Sequence, residues 1–463
     1  MTQKKEAFYS VRKIALDLLI EIMEKEAFCD KCLHQALDTY DLEQRDKGFL
    51  MRLVEGTVER CIELDYVIDQ FSKVKVKKMK PVIRNILRMA CYQIFYMDQI
   101  PDSAACNEAV KLTIKRKMHN LKGFINGVLR TIIRQKDRIV YPKEGTKEYL
   151  HIRYSMPEWI VVLFIEQYGI NETEQILQSF LTEKKALAVR LTTSRYSKEE
   201  IIQTLLQDHV TVKEASFAKE AVLLQDYKDM TKLAAFQKGM FQVQDESSML
   251  VGMISGIKKS DTVIDICAAP GGKTLHAADL LAGSGQVLSA DLTKEKTDLI
   301  QQNCQRLGYQ NVSVFQNDAL VYKEEWKEKA DVLIADLPCS GLGVIGKKCD
   351  IKYKTKPEDI KTLASIQKEI LKNAVSYVKP GGRLLFSTCT IAQEENEKNV
   401  AWIQENLPLR LVSIEEDLPE KLQQKTGEKG YLQVLPTMAQ TDGFFVSCFE
   451  KTILQKFKND TGW

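Results

Sequence analysis

Apolar residues in the first third of the chain recur at the spacing of amphipathic helices. From Val11 to Ile22 they fall three and four residues apart, which puts them on one face of a helix. The same spacing returns in three further stretches, at 49–54, 82–90 and 124–133. Pro81 stands where the first turn of a helix tolerates proline. The pattern predicts an all-helical domain over residues 1–140.

The pattern becomes mixed beyond a break at 141–145. Residues 145–235 predict a small α+β module, with a helix at 199–207 between strands at 186–191 and 221–224. Residues 236–450 then alternate β-branched apolar runs with helical spacing, which predicts βαβ units and a mostly parallel sheet covered on both faces. The predicted strands are 262–266, 286–290, 312–315, 332–335 and 383–387.

The composition agrees with a multidomain globular protein. The chain has 463 residues, of which 44% are apolar and 28% charged. We find no apolar run near the ~20 residues that span a bilayer, and the first ten residues are polar. The sequence therefore predicts a cytoplasmic protein without a membrane partner. Its 11 cysteines are expected to be reduced thiols.

Positive charge is concentrated in one stretch of the predicted helical domain. Residues 73–138 carry 16 Lys and Arg against 4 Asp and Glu, a local charge of +12, whereas residues 1–72 carry 10 against 15. Such concentration is expected of a surface that binds the phosphates of a nucleic acid. A solvated helical face explains the charge equally well, so charge alone does not decide between the two.

A glycine turn follows the first strand of the α/β region. The sequence from Asp261 to Thr274 reads D-T-V-I-D-I-C-A-A-P-G-G-K-T, in which two glycines let a backbone approach a ligand at the start of a helix. It lacks the G-x-G-x-x-G of dinucleotide sites and the spacer of the phosphate-binding loop. The turn therefore indicates a ligand site that is not for a nucleoside triphosphate.

Three acidic residues each follow an apolar strand: Asp291, Asp318 and Asp336. The carboxyl ends of parallel strands meet at the edge where open α/β sheets bind ligands. Asp291 lies about twenty residues after the glycine turn, where an acid accepts hydrogen bonds from ribose hydroxyls. A helix N-cap explains any single acid, but three in register favour a nucleoside site.

Two cysteines stand just beyond strand ends on the same predicted edge. Cys339 lies in D-L-P-C-S-G-L-G-V and Cys389 in S-T-C-T. Carbon 5 of cytosine is too weak a nucleophile to take a methyl group unaided, and a thiolate that adds at carbon 6 makes it enamine-like. Asp336 then has a second possible role near ring nitrogen 3, where charge develops.

These motifs together resemble the Nop/Sun family of RNA 5-methylcytosine methyltransferases, and the resemblance covers almost the whole chain. It also includes the D-G-F-F at 442–445 and the residues Glu394, Glu395 and Asn396 after S-T-C-T. The helical region, with F-I-N-G-V-L-R at 124–130, is similar to the NusB-like RNA-binding domain of the bacterial branch, whose members modify one cytidine of 16S ribosomal RNA. Residues 346–349 depart from the family pattern in the loop expected at the base pocket.

The resemblance implies a Rossmann-like methyltransferase domain that uses S-adenosylmethionine, with 16S ribosomal RNA as its partner. It implies that Cys389 is the nucleophile, that Cys339 assists release of the methylated RNA, and that Asp336 belongs to the catalytic site. The residues it implies for the cofactor are Cys267, Ala268, Ala269, Pro270, Gly271, Gly272, Lys273, Asp291, Asp318 and Asp336.

Two other functions stay open at this stage. One is a cytosine-5 methyltransferase acting on transfer RNA or DNA. DNA enzymes, however, use the cysteine of the P-C motif, here Cys339, as nucleophile and carry a separate target-recognition region. This chain has instead the additional cysteine of S-T-C and a NusB-like region. The other is a non-catalytic RNA-binding assembly factor, which the presence of both cysteines and all three acids disfavours. The C-x-x-C-x-H cluster at 29–34 offers fewer than the four ligands of a structural zinc site, so we expect no metal. Protein partners stay unknown at this stage.

Overall fold

The computed structural model describes residues 10–182, 186–423, 427–439 and 441–453. The helices are α1 (Val11–Glu24), α2 (Cys29–Thr39), α3 (Gln44–Glu59), α4 (Cys61–Phe71), α5 (Pro81–Tyr96), α6 (Asp102–Lys115), α7 (Lys122–Arg134), α8 (Lys147–Arg153), α9 (Glu158–Leu181), α10 (Lys198–Gln207), α11 (Ala234–Gln237), α12 (Glu246–Met253), α13 (Gly272–Leu281), α14 (Lys294–Leu307), α15 (Ile351–Lys354), α16 (Pro357–Tyr377), α17 (Glu397–Asn406) and α18 (Glu420–Gln423). The strands are β1 (Leu187–Leu191), β2 (Thr211–Glu214), β3 (Ala221–Gln225), β4 (Phe241–Val243), β5 (Thr262–Asp265), β6 (Gln286–Asp291), β7 (Val312–Gln316), β8 (Ala330–Asp336), β9 (Val378–Thr388), β10 (Leu409–Leu411), β11 (Tyr431–Val434) and β12 (Phe444–Lys451).

The chain packs into two compact units. The first contains Met1–Thr182 and Ile345–Thr355, and the second contains Glu183–Val344 and Lys356–Trp463. The three-part division predicted from the sequence, at 1–140, 145–235 and 236–450, remains a prediction about which parts fold independently. The predicted fold class is confirmed, with N-terminal helices, a small α+β module and an α/β part with a mostly parallel sheet.

In the first unit, helices α1 to α7 pack around a shared apolar core. The four stretches predicted from the apolar spacing are α1, α3, α5 and α7, and Pro81 is the first residue of α5, as expected. The spacing did not predict α6, because this helix buries the small residues Ala105, Cys106 and Ala109. Small side chains leave a weak hydrophobic pattern in a sequence.

Residues 345–355 belong to the helical unit although they lie far from it in sequence. Asp350 Oδ2 accepts the backbone N–H of Cys29 at 2.9 Å and so satisfies a free donor at the start of α2. Lys352 is 1% exposed, and its Nζ donates to the carbonyl of Glu59 at 2.7 Å. Burial lowers the pKa of Lys352 to about 8. The loop that the resemblance assigned to the base pocket thus continues into a segment packed in the bundle.

The second unit contains two sheets. The smaller has the antiparallel order β2-β3-β1-β4 and confirms the predicted α+β module. A buried ion pair joins this sheet to α13. Arg190 Nη1 of β1 lies 3.2 Å from Asp279 Oδ2 of that helix. The small module is therefore fixed to the helix that begins at the glycine turn.

The larger sheet has the order β10-β12-β9-β8-β5-β6-β7, with β11 paired to β12. All five predicted strands are present as β5 to β9, and they run parallel. The chain leaves β5 for β6 and β7 on one side, then returns to β8 and β9 on the other. The carboxyl ends of β5 and β8 flank this reversal of strand order, where open α/β sheets bind ligands.

Candidate active site

The glycine turn connects β5 to α13 at the reversal point of the sheet. Gly271 has a φ of 106°, a left-handed value that other residues adopt only under strain. It precedes the first residue of α13, whose N-terminal N–H groups remain available to a ligand. The crowded turn desolvates Cys267, and this raises the pKa of its thiol well above the ordinary value. Cys267 is therefore poorly suited to be a nucleophile.

Asp291 holds the glycine turn in place. Its Oδ2 accepts the backbone N–H of Ala269 at 2.9 Å. Its Oδ1 accepts the N–H of Leu292 at 2.7 Å and lies 2.9 Å from Lys296 Nζ. The side chain is nearly buried. Asp291 therefore joins the end of β6 to the turn after β5.

Asp336 and Asp318 have different surroundings. The carboxylate of Asp336 lies 2.6 Å from Lys273 Nζ and accepts a hydrogen bond from Ser387 Oγ at 2.8 Å. Asp336 is thus at the reversal point beside the glycine turn. Asp318 is exposed, and its carboxylate accepts the N–H of Leu320, two residues further on, at 2.9 Å. Its described contacts are local, and they do not join it to the other two acids.

A fourth acid, Asp265, was not among the residues predicted from the sequence. It is the last residue of β5 and fully buried, and Thr274 Oγ1 donates to its Oδ2 at 2.7 Å. Within the described part of the chain its Oδ1 has no hydrogen-bond partner. Burial raises the pKa of Asp265 to about 7, and the charges of Asp336 and Asp291 add to the increase. The signal was available, since Asp265 also ends an apolar strand.

These carboxylates fit the charge of S-adenosylmethionine. A buried acceptor without a partner, in a site crowded with negative charge, is costly unless a cation or donor reaches it. S-adenosylmethionine carries a sulfonium, an ammonium and donor hydroxyl groups. The acids at the ends of β5, β6 and β8 therefore suit this cofactor in charge and in hydrogen bonding.

The two cysteines are in contact. Cys339 follows β8 by three residues, and Cys389 follows β9 directly. Since β8 and β9 are neighbours, their ends bring the two Sγ atoms to 3.3 Å. The contact with Cys389 and, after it, burial raise the pKa of the Cys339 thiol well above its ordinary value. Two thiolates so close would repel each other, so at most one of the pair ionises readily.

Three motifs from distant parts of the sequence meet through their backbones beside the cysteines. Gly343 N–H donates to the carbonyl of Cys389 at 3.1 Å, and Gly443 N–H donates to the carbonyl of Gly343 at 2.9 Å. A Cβ on Gly343 would lie 2.2 Å from the Gly443 carbonyl oxygen and 2.8 Å from that of Cys389. The D-G-F-F motif thus contributes its backbone to the packing of both cysteine loops.

Gly343→Ala is expected to destabilise the fold by about 1–3 kcal/mol and to reduce methyl transfer. The added methyl group meets backbone atoms, which cannot rotate away, so the loops must separate. Thermal unfolding and a methyl-transfer assay measure the two effects. Gly48→Ala is the control, because a Cβ there has nothing within 4 Å and alanine suits a helix better than glycine. Equal behaviour of the two variants would contradict the close packing.

The remaining sequence features fall outside this site. His34 of the C-x-x-C-x-H cluster contacts the carbonyl of Asp30 at 2.8 Å through Nδ1. Among the described residues there is no group of three or more His, Cys, Asp or Glu arranged to hold a metal. In the same residues no helix is both long and apolar enough to cross a membrane.

Three family models match the chain. A model described as the 16S rRNA methyltransferase RsmB/F matches residues 253–450. A NusB family model matches residues 9–134. A model of the ferredoxin-like domain of RsmF/B-like methyltransferases matches residues 156–231. The first match contains the strand-end site, the second contains helices α1 to α7, and the third contains most of the small α+β module.

Whole-length relatives agree with the family models. The chain is 37% identical to a probable ribosomal RNA small subunit methyltransferase B of Bacillus subtilis (strain 168), over 96% of this chain and 99% of that protein. It is 31% identical to the corresponding probable enzyme of Synechocystis, with the same coverage. The crystal structure of PH0851 matches with a TM-score of 0.79 and 26% identity, over 96% of this chain and 100% of that one.

The fold, the strand-end site and these matches define an S-adenosylmethionine-dependent RNA methyltransferase. More narrowly, the chain belongs to the RsmB/F family of 16S ribosomal RNA methyltransferases.

Proposed function

We propose that the protein methylates carbon 5 of one cytidine in 16S ribosomal RNA through a covalent adduct, with Cys389 as nucleophile and Cys339 as the group that resolves the adduct. The observation that carries this proposal is the 3.3 Å contact between the two Sγ atoms. Two thiols in contact cannot both ionise readily, so one keeps its proton while the other becomes the thiolate, and the family resemblance assigns the thiolate to Cys389.

The proposed reaction has two halves. In the first, the Cys389 thiolate bonds to carbon 6, and the electron pair of the 5,6 double bond makes carbon 5 nucleophilic. S-adenosylmethionine supplies the methyl group that carbon 5 takes up. Asp336, with Lys273 at 2.6 Å, is proposed to face ring nitrogen 3 as the protonated acid and to donate its proton toward the negative charge that develops there, because a carboxylate would repel that charge.

In the second half, the proton on carbon 5 leaves, the 5,6 double bond re-forms and the bond to Cys389 Sγ breaks. The contact with Cys389 is the main cause of the raised Cys339 pKa. Once Cys389 is an uncharged thioether, it no longer repels a negative charge on Cys339, and the pKa of Cys339 falls even though burial still raises it. Cys339 can then lose its own proton to solvent, and the resulting thiolate accepts the proton from carbon 5. The two thiols would thus act in sequence.

The cofactor residues are proposed as a set at the ends of β5, β6 and β8. The turn Cys267–Lys273 presents its backbone to the cofactor, Asp291 accepts the ribose hydroxyls, and Asp336 borders the methyl group. Asp265, buried with one oxygen without a partner in the described chain, is proposed to join them. Asp318, exposed beyond β7, remains a proposed member on the grounds of family resemblance.

The RNA substrate is proposed from names and charge. The relatives are named for the small ribosomal subunit, and the NusB match covers most of the +12 segment. We therefore propose that the helical unit binds 16S ribosomal RNA through its phosphates, and that the enzyme works in the cytoplasm. The test is transfer of tritiated methyl groups to 16S ribosomal RNA, followed by bisulfite sequencing. Label on a base other than cytosine would contradict the proposal.

Lys115→Glu with Lys117→Glu is expected to weaken RNA binding and reduce its salt dependence. Both lysines are exposed, and the slope of log affinity against log salt should fall by about 0.7–0.9 for each phosphate that the variant no longer neutralises. Arg116 is left intact, because it pairs with Asp17 within the bundle. Filter binding over a salt series measures the effect.

The control is Lys13→Glu with Lys31→Glu, which changes the net charge equally outside the basic segment. An equal loss of affinity in both double variants would attribute the effect to total charge. Deleting residues 1–140 would also remove the basic segment, but it is a poorer test of RNA binding because it disturbs the rest of the protein. Cys349 and Lys352 are buried in the helical unit, and the deletion would expose them.

A further inference from the structure

A buried polar cluster lies directly behind the two cysteines. Its centre is Glu395, which is 0% exposed and precedes α17 by two residues. A fully buried carboxylate is rare unless several donors satisfy it. In the sequence Glu395 is only one acid of a motif, and the motif by itself assigns it no role.

Two residues, Ser340 and Gln367, donate to Glu395 and connect it to both sequence neighbours of Cys339. Ser340, the next residue, donates its backbone N–H to Oε1 at 2.9 Å and its hydroxyl to Oε2 at 2.5 Å. Gln367 Nε2 donates to Glu395 Oε1 at 3.3 Å and to the carbonyl of Pro338, the preceding residue, at 2.9 Å. The carboxylate therefore holds Cys339 between two anchored neighbours.

The same cluster holds the Cys389 loop. The hydroxyls of Ser340 and Thr390 are 2.8 Å apart. Asn396, which follows Glu395, donates to the carbonyl of Thr390 at 3.0 Å and accepts from Thr388 Oγ1 at 2.6 Å. Two consecutive side chains thus fix the residues on either side of both cysteines.

We propose that Glu395 is a positioning residue that keeps Cys339 in contact with Cys389 and so sets the rate at which the covalent adduct resolves. The catalytic part of this inference rests on the proposed function, whereas the positioning part concerns the folded protein alone. Burial raises the pKa of Glu395 to about 6, against the lowering effect of the bonds from Ser340 and Gln367. At neutral pH the side chain is therefore a carboxylate, with acceptors for all three donors.

Glu395→Gln tests the role, because the amide keeps the shape but offers one acceptor oxygen where the carboxylate offers two. The amide oxygen is needed by the two N–H donors at the Oε1 position. The NH₂ group therefore faces the Ser340 hydroxyl, which has to rotate so that it accepts a hydrogen bond and no longer donates one. The control is Glu394→Gln, the preceding residue, whose side chain is partly exposed and pairs with Lys398 at 2.6 Å. Thermal unfolding of both variants checks that they are folded.

The first measurement is independent of catalysis. Diamide removes two hydrogens from neighbouring thiols, which form a disulfide while diamide is reduced to its hydrazine. Peptide mapping of the full-length protein then gives the rate of the Cys339–Cys389 cross-link. We expect the wild type and Glu394→Gln to react at the same rate and Glu395→Gln to react about tenfold more slowly, as the loss of a charged hydrogen bond implies.

The second measurement is the lifetime of the covalent RNA adduct, which should lengthen in Glu395→Gln by a similar factor, while the KM for S-adenosylmethionine stays unchanged. An unchanged cross-linking rate in a folded Glu395→Gln would overturn the proposal. Slower cross-linking with a normal adduct lifetime would overturn its catalytic part. If the proposed function fails, no adduct forms in any variant, and the cross-linking result still decides the positioning part.

Should Glu395→Gln not fold, Ser340→Ala tests the same hydrogen bond from its donor side. This variant removes the hydroxyl that donates to Glu395 Oε2 and changes the side-chain volume only slightly. Slower cross-linking of Cys339 to Cys389 is expected there too. An unchanged rate in Ser340→Ala would count against the positioning role of Glu395.

Discussion

In Cys389→Ala, methyl transfer to RNA is expected to fall by roughly a thousandfold or more, whereas Cys339→Ala is expected to leave the RNA covalently attached to the protein. The first variant lacks the sulfur that bonds to carbon 6. The second can still form the adduct and take up the methyl group, but it lacks the proposed acceptor for the proton on carbon 5. The two cysteines have identical side chains with their Sγ atoms 3.3 Å apart, yet their alanine variants are expected to behave in opposite ways.

Denaturing gel electrophoresis with labelled RNA and labelled cofactor separates the two outcomes. A slowly migrating species that carries both labels is expected for Cys339→Ala and none for Cys389→Ala. Cys32→Ala, far from the site in sequence and within the helical unit, is the control and should behave as the wild type. The reverse pattern would make Cys339 the nucleophile, and full methyl transfer in Cys389→Ala would end the covalent proposal.

Asp291→Ala is expected to weaken binding of S-adenosylmethionine by tenfold or more. A hydrogen bond to a charged group contributes about 1.5–3 kcal/mol, and each 1.4 kcal/mol is about a factor of ten in affinity. The structure adds a second reason, because the same carboxylate accepts the N–H of Ala269 at 2.9 Å. The variant therefore loses the proposed ribose partner and the anchor of the glycine turn together.

Isothermal calorimetry on the folded variant measures the affinity. Asp298→Ala is the matched control, since Asp298 is a half-exposed acid on the neighbouring α14 that pairs with Lys294. Asp291→Asn separates the two roles, because it keeps an acceptor for Ala269 but loses the charge. Unchanged affinity in a folded Asp291→Ala would mean that the nucleoside site lies elsewhere.

Local patterns predicted the parts of this protein that depend on neighbours in sequence. Apolar spacing identified α1, α3, α5 and α7 and all five parallel strands, because periodicity records which face of an element is buried. It did not predict β12, which pairs antiparallel to β9 and has six consecutive buried residues from Phe444 to Phe449. Burial on both faces leaves no alternation to read.

The acids at strand ends made Asp291 and Asp336 predictable from the sequence, because the carboxyl ends of parallel strands lie at one edge of the sheet. The same rule holds for Asp265, which ends β5. For Asp318 the position was predicted, but its described contacts are local. The position of these acids on the edge was thus readable from the sequence, while the contacts between its members were not, and their roles in cofactor binding stay a prediction.

The sequence by itself determined the helical and α/β parts, the glycine turn and the edge of the sheet on which both cysteines stand. Only the tertiary structure decided that Cys339 and Cys389 touch, because this follows from the pairing of β8 with β9, where Asp336 lies opposite Ser387. It also decided that Glu395 supports both loops and that residues 345–355 pack in the helical unit. Such contacts join side chains distant in sequence, and a local pattern carries no record of them.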